Sequence, residues 1–203
     1  MKKVVIIDYD VGNLQSLKNA LNKINVKFKI SSNKEDIKNS DIIILPGVGS
    51  FNKSMLNIKK KKLYLPLIEA FNQKKKIVGI CVGMQLFATK GFENGVSKGL
   101  NFIPGDVKII NPSKKYKLPV MNWFKINKEK KDVYRSSLKY FYFLHSYKFN
   151  LQNKKHLLYS YKLDDNLNIP AIIKYDNCIG IQFHPEKSSL DGLNLLNELI
   201  NEK

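Results

Sequence analysis

The stretch Val78-Gly79-Ile80-Cys81-Val82-Gly83-Met84-Gln85 joins an apolar strand to the start of a helix, with G-x-C-x-G at the junction. Small residues on both sides of Cys81 let a chain turn sharply and hold the middle side chain out at the end of a sheet, the geometry of a nucleophile elbow. Such a position is also a helix N-terminus, where backbone dipoles favour a sulfur anion. The competing reading of these residues alone is a buried cysteine with glycines for close packing. Outward from this stretch, strands are expected at Val4–Ile7, Lys27–Ile30, Asp41–Leu45 and Ile77–Ile80, and helices at Asn13–Ile24, Leu63–Gln73 and Val82–Thr89. In the first helix Leu14, Leu17, Ala20, Leu21 and Ile24 recur at helical spacing, with Asn13 as the cap. Strand–helix alternation implies a parallel sheet with helices on both faces.

The second half changes character. Asp106–Ile110, Leu118–Ile126, Tyr140–Leu144, Leu157–Tyr161, Ala171–Tyr175 and Gly180–Phe183 read as short strands between turn residues, and Leu190–Ile200 as a closing amphipathic helix. The expected fold class is therefore α/β, with a central mixed sheet flanked by helices. Residues 1–203 are expected to form one domain, since domains usually run about 100–200 residues.

Composition narrows the function classes. With 43% hydrophobic and 26% charged residues the chain is not disordered. No apolar run approaches the roughly 18 residues of a membrane span, and the M-K-K-V-V-I-I-D start has too short an apolar run for a secretory signal. A cytoplasmic protein without a membrane partner is expected. The net charge of +18 invites a nucleic-acid reading. However, the basic residues are almost all Lys in short runs, Lys59–Lys62, Lys74–Lys76, Lys114–Lys117 and Lys128–Lys131, beside abundant Asn. That pattern reads as solvated lysine faces, and no nucleic-acid partner is expected. The two cysteines, Cys81 and Cys178, make no disulfide framework.

Two further segments bear on Cys81. A cysteine nucleophile needs a base within hydrogen-bond reach, and the base needs a third group to orient it. Gly180-Ile181-Gln182-Phe183-His184-Pro185-Glu186-Lys187-Ser188 offers His184 and Glu186 two residues apart at a strand end, on one face if the backbone is extended. Leu45-Pro46-Gly47-Val48-Gly49-Ser50-Phe51 follows another apolar strand, and its glycines let backbone N–H groups face an oxyanion.

The motifs I-D-Y-D-V-G-N (7–13), L-P-G-V-G-S-F (45–51), G-I-C-V-G-M-Q-L (79–86), G-L-N-F-I-P-G (99–105), Y-F-L-H-S-Y (142–147) and Q-F-H-P-E-K-S (182–188) run nearly end to end. Through them the chain resembles the class I (triad) glutamine amidotransferases, and more narrowly the glutaminase subunits of imidazole glycerol phosphate synthases. The resemblance implies a flavodoxin-like fold and hydrolysis of L-glutamine to glutamate and ammonia, without metal or organic cofactor. It implies that Cys81 attacks the carboxamide carbon, His184 is base and then acid, and Glu186 orients His184. It places the oxyanion hole at Gly47, Val48 and Gly49. It assigns Gln85, Ser146 and Tyr147 to the glutamine amino and carboxylate groups, and Asn13, Trp123, Tyr142 and Lys187 to the face toward a partner. The implied partner is a (β/α)₈-barrel cyclase that takes up the ammonia and makes imidazole glycerol phosphate in histidine biosynthesis. A related branch supplies ammonia for amidination of a nucleotide sugar, and a non-catalytic basic binding protein is a third reading. One segment departs from the family: where it usually reads P-H-M-G-W-N, this chain reads Pro119-Val120-Met121-Asn122-Trp123-Phe124. The docking surface is the feature this change would touch.

Overall fold

A computed structural model describes residues 2–10, 14–130 and 139–201. Its elements run β1 (Val4–Ile7), α1 (Leu14–Lys23), β2 (Phe28–Ser31), α2 (Lys34–Lys38), β3 (Ile42–Leu45), α3 (Phe51–Lys60), α4 (Tyr64–Asn72), β4 (Lys76–Ile80) and α5 (Val82–Gln85). They continue with β5 (Lys90–Gly91), β6 (Ser97–Lys98), β7 (Gly105–Ile109), β8 (Val120–Lys128), β9 (Tyr140–His145), β10 (Tyr147–Leu151), β11 (Leu157–Asp164), β12 (Leu167–Tyr175), β13 (Cys178–Ile181) and α6 (Ser189–Asn201). Short 3₁₀ turns lie at Lys154–His156 and Pro185–Lys187.

The apolar runs of β1 and β3 are buried along their whole length, as strands covered on both faces must be. The main sheet has the order β2-β1-β3-β4-β13-β12-β11-β8-β9. Pairing is parallel from β2 to β13 and antiparallel beyond it. Alternate residues of each strand feed two cores. Val4, Ile6, Ile42 and Ile44 meet Leu17 and Leu21 of α1 and Leu195 and Leu199 of α6. Val5, Ile7, Ile43 and Leu45 meet Phe51, Met55 and Ile58 of α3, Leu67 of α4, and Val107 and Phe149 of the second sheet, whose order is β10-β7-β5-β6.

Several expectations shift. The helix expected over Val82–Thr89 ends at Gln85. The Phe87 and Ala88 N–H groups bond the i−3 carbonyls of Met84 and Gln85, and the Thr89 N–H goes to the Gly105 carbonyl in place of Gln85, so the helical ladder is not continued. Helix α3 lay unread in the sequence, although Phe51, Met55 and Ile58 share one face and the Ser50 side chain accepts from the Lys53 N–H at its start. The short strands β5 and β6, strand β10 and helix α2 also went unread. Asn13 lies outside the described residues, so neither its capping nor its partner-facing assignment is described. The lysine runs are not all solvated faces: Lys61 Nζ bonds Asp10 Oδ1 at 2.6 Å and the Asp8 carbonyl at 3.3 Å, pinning the chain after β1. No described helix is long and apolar enough to cross a membrane.

Candidate active site

Three loops leave the carboxyl ends of neighbouring parallel strands at one place, where ligands of open α/β sheets bind. Cys81 follows β4, residues 46–50 follow β3, and His184 follows β13. Cys81 has φ 54° and ψ −112°, a left-handed region that a side-chain-bearing residue occupies only when its surroundings impose it. The surroundings are close contacts on both flanks. A Cβ on Gly79 would lie 2.5 Å from the Gly83 carbonyl oxygen, and one on Gly83 would lie 1.9 Å from the Leu45 carbonyl oxygen. Glycine is the residue type that allows β3, β4 and α5 to meet this tightly. The Cys81 N–H donates to the Ile181 carbonyl at 2.7 Å, which ties the elbow to β13. Close packing alone does not require φ above zero at the cysteine, whereas an elbow does.

His184 Nδ1 donates to Glu186 Oε1 at 2.8 Å, and both side chains are almost fully enclosed. The carboxylate does not arrive from an extended strand: β13 stops at Ile181, and Pro185–Lys187 is a 3₁₀ turn that swings Glu186 back onto the ring. With its proton on Nδ1, the neutral ring carries its lone pair on Nε2, the tautomer a general base needs. Nε2 has no hydrogen-bond partner among the described residues. Burial pulls the His184 pKa down, but the Cys81 sulfur and the Glu186 carboxylate outweigh it and hold the imidazolium above its usual range. Because α5 is a single turn, it sums few peptide dipoles; the positive charge available to a sulfur anion is that of His184.

The residues 46–50 pack over the elbow. A Cβ on Gly47 would come within 2.8 Å of the Gly83 nitrogen. Gly49 has φ 144° and Val48 is 42% exposed. Among the described residues the N–H groups of Val48 and Gly49 donate to no protein acceptor, so they are free for an oxyanion. The Pro46 carbonyl accepts a hydrogen bond from the buried Tyr9 hydroxyl, which anchors the near end of this loop. Cys81 itself is only 6% exposed.

Gln85 Nε2 donates to the Tyr147 carbonyl at 3.0 Å and to Gln182 Oε1 at 3.1 Å. Gln182 Nε2 in turn approaches Cys81 Sγ at 3.9 Å, and the Leu144 carbonyl lies 3.7 Å from the same sulfur. Ser146 sits between β9 and β10, its carbonyl held by the Ile110 N–H. Gln85 and the Tyr147 carbonyl are thus connected through Gln182 to Cys81, whereas the Ser146 contact to Ile110 does not place that residue at the elbow. Reading the sequence for chemistry missed Tyr9, Gln182 and His145 as participants. Each stands inside a quoted motif, and each is a polar side chain buried in an apolar setting, the one signal that marked them.

His145 is enclosed. Its Nδ1 donates to the Tyr147 carbonyl at 2.8 Å and its Nε2 accepts from the Tyr161 hydroxyl at 2.9 Å. Burial, with the nearby His184, lowers its pKa to about 4. A histidine depressed in the folded state contributes stability present above its unfolded pKa and lost as pH falls toward the folded one. Acidification from about 6.5 to 4 should therefore cost about 3 kcal/mol through this residue. Denaturant unfolding at pH 7 and pH 4 should show a smaller acid loss in His145→Gln than in the parent, and equal losses would refute the assignment.

The partner-facing candidates cluster outside. Trp123 of β8 and Tyr142 of β9 are register partners with ring centroids 6.1 Å apart, and Lys187 Nζ lies 6.0 Å from the Tyr142 ring. Trp123 is 44% exposed, and Met121 and Tyr140 stand out beside it, so Trp123 is not a core aromatic. Tyr142 is stitched to the catalytic turn: its carbonyl accepts from the His184 N–H and its N–H donates to Ser188 Oγ. Phe124 departs from the docking expectation. It alternates inward with Val120 and Ile126 and packs on Tyr161 and Phe143.

The family model for class-I glutamine amidotransferases matches residues 5–200. Imidazole glycerol phosphate synthase subunit HisH of Carboxydothermus hydrogenoformans is 38% identical, over 96% of this chain and 97% of the relative. The HisH subunit of Lactococcus lactis is 38% identical over the whole of both chains, and that of Archaeoglobus fulgidus 39% over 98% of each. Among solved structures, a glutamine amidotransferase superposes with a TM-score of 0.73 at 16% identity, covering 97% of this chain and 98% of its own. The PurLQS structure from Thermotoga maritima superposes with a TM-score of 0.73 at 19% identity, over 99% of each chain. Sequence, fold and the elbow at Cys81 agree: the chain belongs to the class-I glutamine amidotransferase family.

Proposed function

We propose that this chain is the glutaminase subunit of an imidazole glycerol phosphate synthase, supplying ammonia to a (β/α)₈-barrel cyclase in histidine biosynthesis. The observation that carries the chemistry is Cys81 at φ 54° beside a histidine whose Nδ1 is held by a buried carboxylate. Cys81 Sγ attacks the carboxamide carbon of glutamine, and the carbonyl oxygen takes up the negative charge against backbone N–H groups of residues 47–49 and of Val82. His184 passes its proton to the departing nitrogen, which leaves as ammonia, and a γ-glutamyl thioester remains on Cys81. His184 then takes a proton from water, whose oxygen attacks the thioester and releases glutamate. Glu186 keeps the ring oriented through both halves. Gln85, Ser146 and Tyr147 hold the glutamine amino and carboxylate groups. The HisH names of the relatives support the histidine-pathway acceptor over a nucleotide sugar.

The near-complete enclosure of Cys81 supports partner-dependent turnover. A missing oxyanion donor costs about 10²–10³ in rate, so donors of residues 47–49 aimed only on cyclase binding would make turnover depend on the partner. The exposed Met121–Trp123–Tyr142 face continues into the His184 turn, which suits it to receive the cyclase. Trp123→Ala should weaken cyclase binding about 30-fold, as loss of an aromatic anchor worth about 2 kcal/mol does, and should lower the stimulation of glutamine hydrolysis, with little change in melting temperature. Calorimetric titration with the cyclase checks this. Unchanged affinity, or a large loss of stability, would remove Trp123 from the docking face.

A further inference from the structure

A buried neutral imidazole has one N–H, and its neighbours decide which nitrogen carries it. At His145 that decision is forced. The Tyr147 carbonyl, 2.8 Å from Nδ1, can only accept, so Nδ1 must carry the proton. Nε2 is then an acceptor, and the donor it has is the Tyr161 hydroxyl at 2.9 Å. Tyr161 is fully buried on β11. Its ring is wedged between Phe143, with centroids 4.2 Å apart, and Phe124, at 4.7 Å. Phe124 stands where the family motif has Asn.

The same Tyr147 carbonyl accepts from Gln85 Nε2 at 3.0 Å, and Gln85 reaches Gln182 beside Cys81 Sγ. If His145 took the other tautomer, the Nδ1 lone pair would face the carbonyl lone pairs, and the Tyr147 peptide would have to turn away from Gln85. We propose that Tyr161 is a positioning residue of the glutaminase reaction: its hydroxyl donates to His145 Nε2 and anchors the ring whose Nδ1–H holds the Tyr147 peptide and Gln85 in place for glutamine. Phe124 keeps the Tyr161 ring in position from the strand that also carries Trp123. The substitution within the docking segment therefore bears on the substrate site and not on the outer surface alone. The proposal rests on the reading that Gln85 and Tyr147 hold glutamine.

Tyr161→Phe removes one oxygen and keeps the packed ring. In the full chain assayed with its partner subunit, this variant should raise KM for glutamine about fivefold, the loss of one neutral hydrogen bond, with kcat nearly unchanged. The chain has three histidines, so ¹⁵N-histidine spectra resolve His145 directly. The parent should show neutral His145 with the proton on Nδ1 at pH 6, and the variant should keep Nδ1–H while its Nε2 resonance moves downfield, as an acceptor nitrogen does on losing its donor. A parent with His145 charged, or protonated on Nε2, would overturn the proposal. So would a KM that rises without a change at Nε2, or a change at Nε2 without a rise in KM. Gln85→Ala is the control for the underlying site. If it leaves KM unchanged, the glutamine-site reading fails and takes the role of Tyr161 with it. If it raises KM and Tyr161→Phe does not, only the role of Tyr161 fails.

Discussion

Cys81→Ala should abolish glutamine hydrolysis, a loss of at least about 10⁴-fold of the kind seen when a covalent nucleophile is removed, while ammonia-dependent synthesis by the partner survives. The separation is expected because Cys81 contributes a reacting atom and little packing: Ala keeps the Cβ and the backbone conformation that Gly79 and Gly83 enforce. A chloroketone that mimics glutamine should label Cys81 and spare Cys178. Both thiols are buried, yet their settings differ. Cys178 lies on β13 with no exposure, and burial, together with Asp176, pushes its thiol far above the usual range. Only the thiolate attacks, so Cys178 stays inert. Cys81 stands at the elbow near His184, whose imidazolium the sulfur and the Glu186 carboxylate favour. Mass spectrometry of the labelled chain decides the matter, and modification at Cys178 with activity retained in Cys81→Ala would refute the assignment.

Gly83→Ala should cost more than about 4 kcal/mol of stability, in the range reserved for named structural faults. The added methyl would sit 1.9 Å from the Leu45 carbonyl oxygen and 2.8 Å from its carbon. Neither backbone is free to retreat. β3 is hydrogen-bonded between β1 and β4, and the turn after α5 is tied through Leu86 to Leu100. Gly95→Ala provides the contrast: φ is +100° there, but nothing lies within 4 Å of the added Cβ, and the cost should be about 1 kcal/mol from backbone strain alone. Urea unfolding of both variants tests the difference. Equal midpoints would mean that the approach of α5 to β3 is not rigid.

The central strands and the triad candidates were legible because their signals are local. Val4–Ile7 and Ile42–Leu45 are apolar runs whose every residue is buried, and G-x-C-x-G states the elbow in five residues. Helix α3 was harder to read, since Lys53, Lys59 and Lys60 dilute the Phe51–Met55–Ile58 face. The end of α5 could not be read locally at all. Val82–Thr89 has adequate helical character, and it stops at Gln85 because the Thr89 N–H goes to the Gly105 carbonyl, 16 residues further on. The same distinction separates His184 from His145. The first is marked by Pro185 and Glu186 beside it, whereas the second bonds a backbone carbonyl two residues on, which no residue type marks, and a hydroxyl that arrives from β11.

The motifs along the chain were sufficient for the family, the mixed sheet and the Cys81–His184–Glu186 set, because periodicity, glycine placement and nucleophile spacing are properties of neighbouring residues. The route by which Glu186 meets His184, the inward turn of Phe124, the outward stance of Trp123 and the Tyr161–His145–Tyr147 connection required the folded chain. Glu186 and Tyr147 lie two residues from their histidines and are placed by the local path of the chain, whereas the other contacts depend on which distant residues occupy the next van der Waals shell, a choice no local pattern encodes.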